Sequence, residues 1–369
     1  MADSSVAPPG TSLPAAVPPQ SGHKPGFVQP SSYLRPQHQT RSMTSRLEKQ
    51  IDKDERNALN AIRKFLKART SYDVLPLSFR LIIFDTALTV KESLNILVQN
   101  GIVSAPLWDS SSSTFAGLLT TSDYMNVIQY YWQNPAALVQ IDKFLLSKLR
   151  DVERALGVVP PETVSIDPEK PLYEACRKML MSRARRIPLI SLDSQTGRTM
   201  VTSVITQYRI LKFVAVNVGD TTKLRKPLRS LHLGSFDNLC TVSMDTSVIE
   251  VIFLMVKRSI SSVPIVTSQN ILLNVFEAVD VITLIKGGDY EALQLSVGEA
   301  LKKRPQDYAG IYTCSMDDGL DTIFETIRKS RVHRLMIIDE GQHLEGLLSL
   351  SDILEYILLK GEADEIADL

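Results

Sequence analysis

Apolar residues along the chain fall into two kinds of run that keep returning in the same order. A short apolar run closes on a hydroxyl-rich turn and passes at once into residues with apolar positions three and four apart, the pattern of a strand feeding an amphipathic helix. Gly346-Leu347-Leu348-Ser349-Leu350-Ser351-Asp352 runs into ILEYILLK, and Gly117-Leu118-Leu119-Thr120-Thr121-Ser122-Asp123 runs into YMNVIQYYW. Asn274-Val275-Phe276-Glu277-Ala278-Val279-Asp280 runs into VITLIKGG, and Ser203-Val204-Ile205-Thr206-Gln207-Tyr208-Arg209 into ILKFVAVN. Upstream of each turn, a helical pattern passes into an apolar run: NILVQNGIVSAPLWD, RKMLMSRARRIPLIS, FLMVKRSISSVPIVT and ETIRKSRVHRLMIID. Pro106, Pro188 and Pro264 share one register, where Met336 stands in the last copy. With the opening segments FDTALTVKES, SIDPEKPLYEA, SMDTSVIEVI and CSMDDGLDTI, the unit is strand–helix–strand–strand–helix over about 60 residues, repeated four times. The fold class is α/β.

Around these repeats the text changes. Residues 1–45 hold eight prolines among Ser, Gln and Ala, and such a stretch buries too little apolar surface to offset its ordering entropy; disorder is expected. Residues 46–71 read as a helix with Ile51, Leu59, Ile62, Phe65 and Leu66 broadly on one face. The repeats occupy 72–134, 158–217, 233–290 and 291–369. A connecting helix over 135–157 is opened by Pro135 and ended by Gly157, and a basic polar linker spans 218–232. A single unit leaves an apolar face uncovered, so the repeats are expected to pair within each half of the chain, forming two modules.

Composition narrows the chemistry. Forty-one basic residues balance forty-one acidic ones, which gives no support to a general nucleic-acid or anionic-membrane role. Three widely spaced cysteines form no CxxC pair, as expected of a reducing cytosolic or nuclear compartment. No run approaches the roughly 18 apolar residues of a membrane span. There is no GxGxxG and no HExxH, and the P-loop spacing of Gly341 and Gly346 fails because Leu347 stands where Lys belongs. No Ser or Cys sits in the context of an activated nucleophile.

Binding chemistry is better represented. An acid three residues after Ser or Thr is a capping-box pattern, which satisfies free N–H groups at a helix start. The same acid, at Asp123, Asp280 and Asp352, can accept both hydroxyls of a ribose, while Thr120, Thr206 or Ser349 donates towards a phosphate at the positive end of the helix dipole. A second landmark precedes each apolar run: Val103-Ser104, Arg185-Arg186, Ser261-Ser262 and His333-Arg334. Arginines are ordinarily solvated surface residues, but guanidinium groups also grip phosphate with two bonds. Both cationic pairs fall at one point of the repeat.

These landmarks resemble those of cystathionine-β-synthase (CBS) motifs, modules that pair and often bind adenosine nucleotides. Over residues 70–361 the chain is similar to the gamma subunits of AMP-activated protein kinase, more particularly the fungal form of the sucrose-non-fermenting kinase complex. FDTALTVKESLNILVQNGIVSAPLWDS, LLNVFEAVDVITLIKGGDY, LSVGEALKKR and KSRVHRLMIIDE carry the likeness. The resemblance implies a pseudo-symmetric disc and a non-catalytic subunit that senses AMP, ADP or ATP, with a catalytic alpha and a scaffolding beta subunit as partners. It also implies ribose contacts at Asp123, Asp280 and Asp352, with Arg209 marking an unfilled cleft. By the same correspondence Arg186, His333 and Arg334 hold phosphate and Arg304 makes another nucleotide contact. Ser235, Cys240, Val164 and Tyr312 would touch base or ribose. Ser261, Ser262 and 277–279 would line the third cleft, as Thr120 and its neighbours, and Ser349, Leu350 and Ser351, line others. Four positions depart from the animal pattern: Val103 replaces Arg, Arg185 replaces His, Tyr208 replaces Lys, and Glu277 replaces Ser and would repel a phosphate. The cleft of Asp352 is therefore expected to bind first and that of Asp280 next, and a structural adaptor without nucleotide remains the alternative.

Overall fold

The computed structural model describes residues 27–28, 45–78, 80–159, 162–305, 308 and 310–360. Its elements follow the repeat. The first copy is β2 (Phe84–Asp85), α2 (Val90–Gln99), β3 (Ser104–Asp109), β4 (Thr114–Thr120) and α3 (Thr121–Gln133). After α4 (Leu149–Ala155) the second is α5 (Leu172–Met181), β5 (Arg186–Leu192), β6 (Thr199–Thr206) and α6 (Gln207–Asn217). Beyond α7 (Leu228–Leu231) the third is α8 (Val248–Arg258), β7 (Ser262–Val266), β8 (Leu272–Glu277) and α9 (Ala278–Leu284). Past α10 (Val297–Leu301) the fourth is β9 (Ile311–Cys314), α11 (Leu320–Lys329), β10 (Arg334–Ile338), β11 (Leu344–Ser349) and α12 (Leu350–Leu359). In the second and third copies the opening strand shrinks to one parallel bridge, Ile166 to Leu189 and Val242 to Ile265.

The shared proline register has a simple origin. Ile166 N–H donates to the Pro188 carbonyl and Val242 N–H to the Pro264 carbonyl, both at 3.1 Å. A proline can give such a ladder its oxygen, though never a proton. Each antiparallel hairpin also sets the second residue of the landmark pair opposite the residue that starts the next helix: Ser104 faces Thr120, Arg186 faces Thr206, Ser262 faces Glu277 and Arg334 faces Ser349. That one register brings the two sequence landmarks together in every copy.

Three cores hold the repeats to one another. One joins the second and fourth copies through α5, α6, α11 and α12; another joins the first and third through α2, α3, α8 and α9. A small third core of Leu272, Val275, Ile311, Met336, Ile338 and Leu344 lies between the sheets of the third and fourth copies. Strand β4 lies against β6, linking the first copy to the second. Through these cores and the β4–β6 contact each copy packs against two others, and the four close into a ring. The sister that covers each helical face belongs to the opposite half of the chain, because the apolar stripes lie on the helices while the consecutive copies meet through their sheets.

Helix α1 (Ser45–Ala68) lays Leu59, Ile62 and Leu66 into the core of the second and fourth copies, with Phe65 half-buried beside them. The expected disorder of 1–45 falls mostly outside the described residues. Phe27–Val28 form β1, which pairs parallel with Ile311–Tyr312 because a strand-favouring Phe-Val meets an otherwise open sheet edge. The expected connecting helix is corrected. Pro135–Lys143 and Leu146–Lys148 are 3-10 turns, and only α4 is α-helical. Backbone bonds from Val90 to Phe144 and from Leu146 to Leu88 pull the intervening residues into extended form, which interrupts the helix. Gly157, at φ +67°, closes it as expected. No described helix is long and apolar enough to cross a membrane.

Candidate functional site

Two of the three acidic helix starts, those of α3 and α12, form the cap read from the sequence with one carboxylate oxygen only. In α12, Asp352 Oδ2 accepts from Ser349 N–H at 2.7 Å and Ser349 Oγ–H at 2.8 Å, while Ser349 Oγ accepts from Asp352 N–H at 3.3 Å. In α3, Asp123 Oδ2 accepts from Thr120 N–H at 2.7 Å and Thr120 Oγ1–H at 2.8 Å. Among the described residues, the Oδ1 atoms of both aspartates accept no hydrogen bond. The cap consumes one oxygen and leaves its twin for a ligand.

Across the hairpin from Ser349, the strand starts carry a cluster of cations, of which only Arg334 has a carboxylate within reach, that of Glu277, among the described residues. His333 and Arg334 come from the start of β10, Arg185 and Arg186 from the start of β5, and Ser261 Oγ accepts from both Arg185 and Arg334, the latter at 3.1 Å. Among the described residues, no carboxylate pairs with Arg185, Arg186 or Arg331. Burial holds Arg185 down at about 10, with the Arg334 charge adding to it; burial, then the charges of Arg185 and Arg331, do the same to Arg186. The His333 imidazole falls to about 4, through burial first and then the charges of Arg331, Arg334, Arg186 and Arg185. Like charges gathered in a half-buried site form a standing invitation to an anion. Tyr208 borders this cluster, its ring 5.9 Å from that of His333 and its hydroxyl donating to the Ser330 carbonyl at 3.3 Å. Ser351 Oγ–H donates to Gln207 Oε1 at 3.0 Å, so the starts of α6 and α12 meet. Leu350 is buried in the core and offers the site only its backbone.

Arg331 is the residue that reading the sequence missed. Its signal is the alternation of a strand entrance: two residues before His333, it falls on the same side in KSRVHR.

The other clefts differ. At the second, Thr206 Oγ1 accepts from Arg209 N–H at 3.2 Å and Arg209 Nη1 donates to the Val204 carbonyl at 3.2 Å, so a cation stands where the others carry an acid. At the third, Asp280 and Arg304, both expected on a ligand, are found on each other: Arg304 Nε lies 2.7 Å from Asp280 Oδ1 and Nη2 lies 2.5 Å from Oδ2. Glu277 Oε1 stands 3.3 Å from Arg334 Nη1, and Ser262 is buried beside it in β7. The first cleft is a recess of about 180 Å³ lined by Thr86, Leu118, Asp123, Ser147 and Arg150 among others. Arg150 is bound at 2.7 Å to the buried Glu153, and with Val103 at the landmark this recess is poor in free cations. Burial pushes Asp123 up to about 6, against the Thr120 bonds, with Glu153 adding to the rise and Arg150 opposing it.

Of the positions expected to meet base or ribose, Val164 and Tyr312 pack half-buried against the core of the second and fourth copies. Ser235 exchanges backbone bonds of 2.8 and 2.9 Å with Leu347, just ahead of Ser349. Cys240 packs instead against the core of the first and third copies, so these two are not brought into one cleft. Cys176, Cys240 and Cys314 are all free thiols.

Comparison with known proteins supplies the family context. A CBS domain profile matches residues 235–287 and 307–359. The chain is 55% identical over 309 residues to "5'-AMP-activated protein kinase subunit gamma" of Kluyveromyces lactis, covering 84% of this chain and 94% of that one. It is 54% identical over 312 residues to the protein of the same name in Saccharomyces cerevisiae, covering 85% and 97%. The human gamma-3 subunit is 33% identical over 300 residues, covering 80% of this chain and 60% of that one. Among solved structures, a Methanocaldococcus jannaschii protein described as an archaeal homologue of the gamma subunit superposes with a TM-score of 0.62 at 13% identity, covering 78% and 99%. That likeness establishes the fold.

Proposed function

The chain belongs to the gamma-subunit family of 5'-AMP-activated protein kinase, and from that premise we propose that its fourth cleft is the principal adenine-nucleotide site. The protein is a regulatory subunit without catalytic activity of its own, which senses adenine nucleotides through its CBS repeats. In this reading Asp352 Oδ1 accepts the ribose hydroxyls. The phosphate lies among Arg186, His333 and Arg334, with Arg185 and Arg331 adding charge. The observation that carries the reading is the cation cluster with no carboxylate on Arg185, Arg186 or Arg331 among the described residues, whose Arg334 lies across the hairpin from the Ser349 that caps Asp352 and leaves one of its oxygens open. Like charges held close together repel, and a phosphate dianion offsets that repulsion.

Regulation follows from linkage. AMP, ADP and ATP compete for the cleft, and whichever differs in affinity between two states of the kinase complex shifts their populations. The catalytic alpha and the beta scaffold subunits are the partners in which those states reside, in the cytoplasm and nucleus. The first cleft, poor in cations, takes nucleotide weakly in comparison.

Asp352→Ala removes the sugar contact, and AMP binding to the assembled complex weakens by about 1–3 kcal/mol, tenfold or more at the middle of that range. Isothermal calorimetry measures it. Unchanged affinity removes the fourth cleft from this role.

A further inference from the structure

We propose that the third cleft is occupied from within: Arg304 and Glu277 stand where the sugar and the phosphate of a nucleotide would stand, and this cleft takes no nucleotide. The inference rests on the reading of the fourth cleft, since the equivalent parts of that cleft define what a ligand uses.

At the sugar end, three copies of the repeat place an aspartate in the first turn of a helix, and the three can be compared directly. In α3 and α12 only one carboxylate oxygen is taken, by the cap. In α9 both are taken. Asp280 Oδ2 accepts from Glu277 N–H at 2.7 Å and from Arg304 Nη2, and Oδ1 accepts from Arg304 Nε. The guanidinium supplies paired N–H donors to the carboxylate, as the two hydroxyls of a ribose would.

Arg304 is also held on its other sides. Nη1 donates to Asn274 Oδ1 at 3.0 Å, Nη2 donates to the Val275 carbonyl at 2.6 Å, and Cζ lies 4.1 Å from the centroid of the Tyr308 ring. The Arg304 and Asp280 side chains are only 9% and 10% exposed. Burial opposes both charges. At Asp280 it outweighs the Arg304 bonds and raises the carboxyl, whereas at Arg304 the bonds and charge of Asp280 prevail and raise the guanidinium. It is the bonding geometry that holds the pair. A sugar entering here would have to displace a fully ligated, buried ion pair. Breaking such a pair leaves an uncompensated charge.

At the phosphate end, the position before the helix carries a hydroxyl in the other copies, at Thr120, Thr206 and Ser349. Here it carries Glu277, whose carboxylate reaches Arg334. An anion of the chain itself therefore stands at the phosphate end of this cleft, beside the Arg334 that the fourth cleft uses, and repels a second anion there. One side chain supplies donors at the sugar end and another supplies negative charge at the phosphate end.

The test counts AMP molecules bound per assembled complex by equilibrium dialysis. Glu277→Ser together with Arg304→Met empties both ends while keeping the aliphatic stem against Tyr308. The expected result is one more equivalent of AMP than wild type, lost again when Asp280→Asn is added. An unchanged count in a double variant that melts as wild type overturns the proposal. Asp280→Asn in the wild-type background provides an independent reading should the double variant fold poorly. The count then stays at its wild-type value, and loss of one equivalent overturns the proposal. Failure of the fourth-cleft reading is distinguished by Asp352→Ala, which would leave the wild-type count and affinity unaltered whatever the double variant does.

Discussion

His333 shows how a side chain is used against its own preference. Desolvation first, and then the charges of Arg331, Arg334, Arg186 and Arg185, hold its imidazole at about 4, neutral at physiological pH. The sign of the consequence is fixed by linkage. A group whose folded pKa is depressed below its unfolded value of about 6.5 binds fewer protons when folded, so the stability it contributes above pH 6.5 is lost as pH falls towards 4. Without nucleotide, the urea midpoint is expected to decline across that window, and His333→Gln to flatten the decline. An AMP-saturated sample is expected to decline less, because a phosphate offsets the arginine charges. Urea titrations at half-unit pH steps check all three. The aspartates were legible in the sequence because capping and ligand binding ask for the same residue at the same spacing. That Asp280 is already bound was not, because Arg304 lies 24 residues away and nothing local announces the contact.

Helix α12 joins two such residues into one element. Its first turn carries the cap of Ser349 and Asp352, and its last turn is tied down by α1. Arg63, 2% exposed, donates to the Ile357 carbonyl at 3.2 Å and to the Lys360 carbonyl at 2.5 Å, while the Tyr356 hydroxyl donates to Glu55. Unsatisfied carbonyls end every helix, and a cation there also complements the helix dipole. Arg63→Met leaves those carbonyls without a donor and is expected to destabilise the protein by about 2 kcal/mol. The measurable outcome is a lower thermal midpoint with the AMP-induced rise in midpoint preserved, since the near end of the helix is untouched. The amphipathic pattern of residues 46–71 foretold a packed helix, but not that its one buried arginine would close another helix nearly three hundred residues away.

At the scale of the whole molecule, the ring makes the two halves interdependent. The helical faces of the first and second copies are covered by the third and fourth, while β4 lies against β6 between the first two. A fragment of residues 45–217 would expose both apolar faces, far more than the few hundred square ångströms a soluble monomer tolerates. Such a fragment is expected to aggregate when expressed alone and to become soluble when co-expressed with residues 218–360. Analytical ultracentrifugation of the two preparations decides it, and a monodisperse isolated fragment contradicts the arrangement. The ring is also what assembles the cation cluster, since Arg185 and Arg186 belong to one half while His333 and Arg334 belong to the other.

The amino-acid sequence alone determined everything that depends on neighbours along the chain: four copies of one unit, strand and helix periods, the acid in the first turn, and the cationic pair at one register. Local propensity, side-chain alternation and capping act over a few residues, and their marks stay in the text. Which copy covers which, which arginine meets which carboxylate, and which cleft is left open were decided only by tertiary structure. Those outcomes depend on apolar faces and charges brought together from distant segments, where burial and like-charge repulsion set the balance.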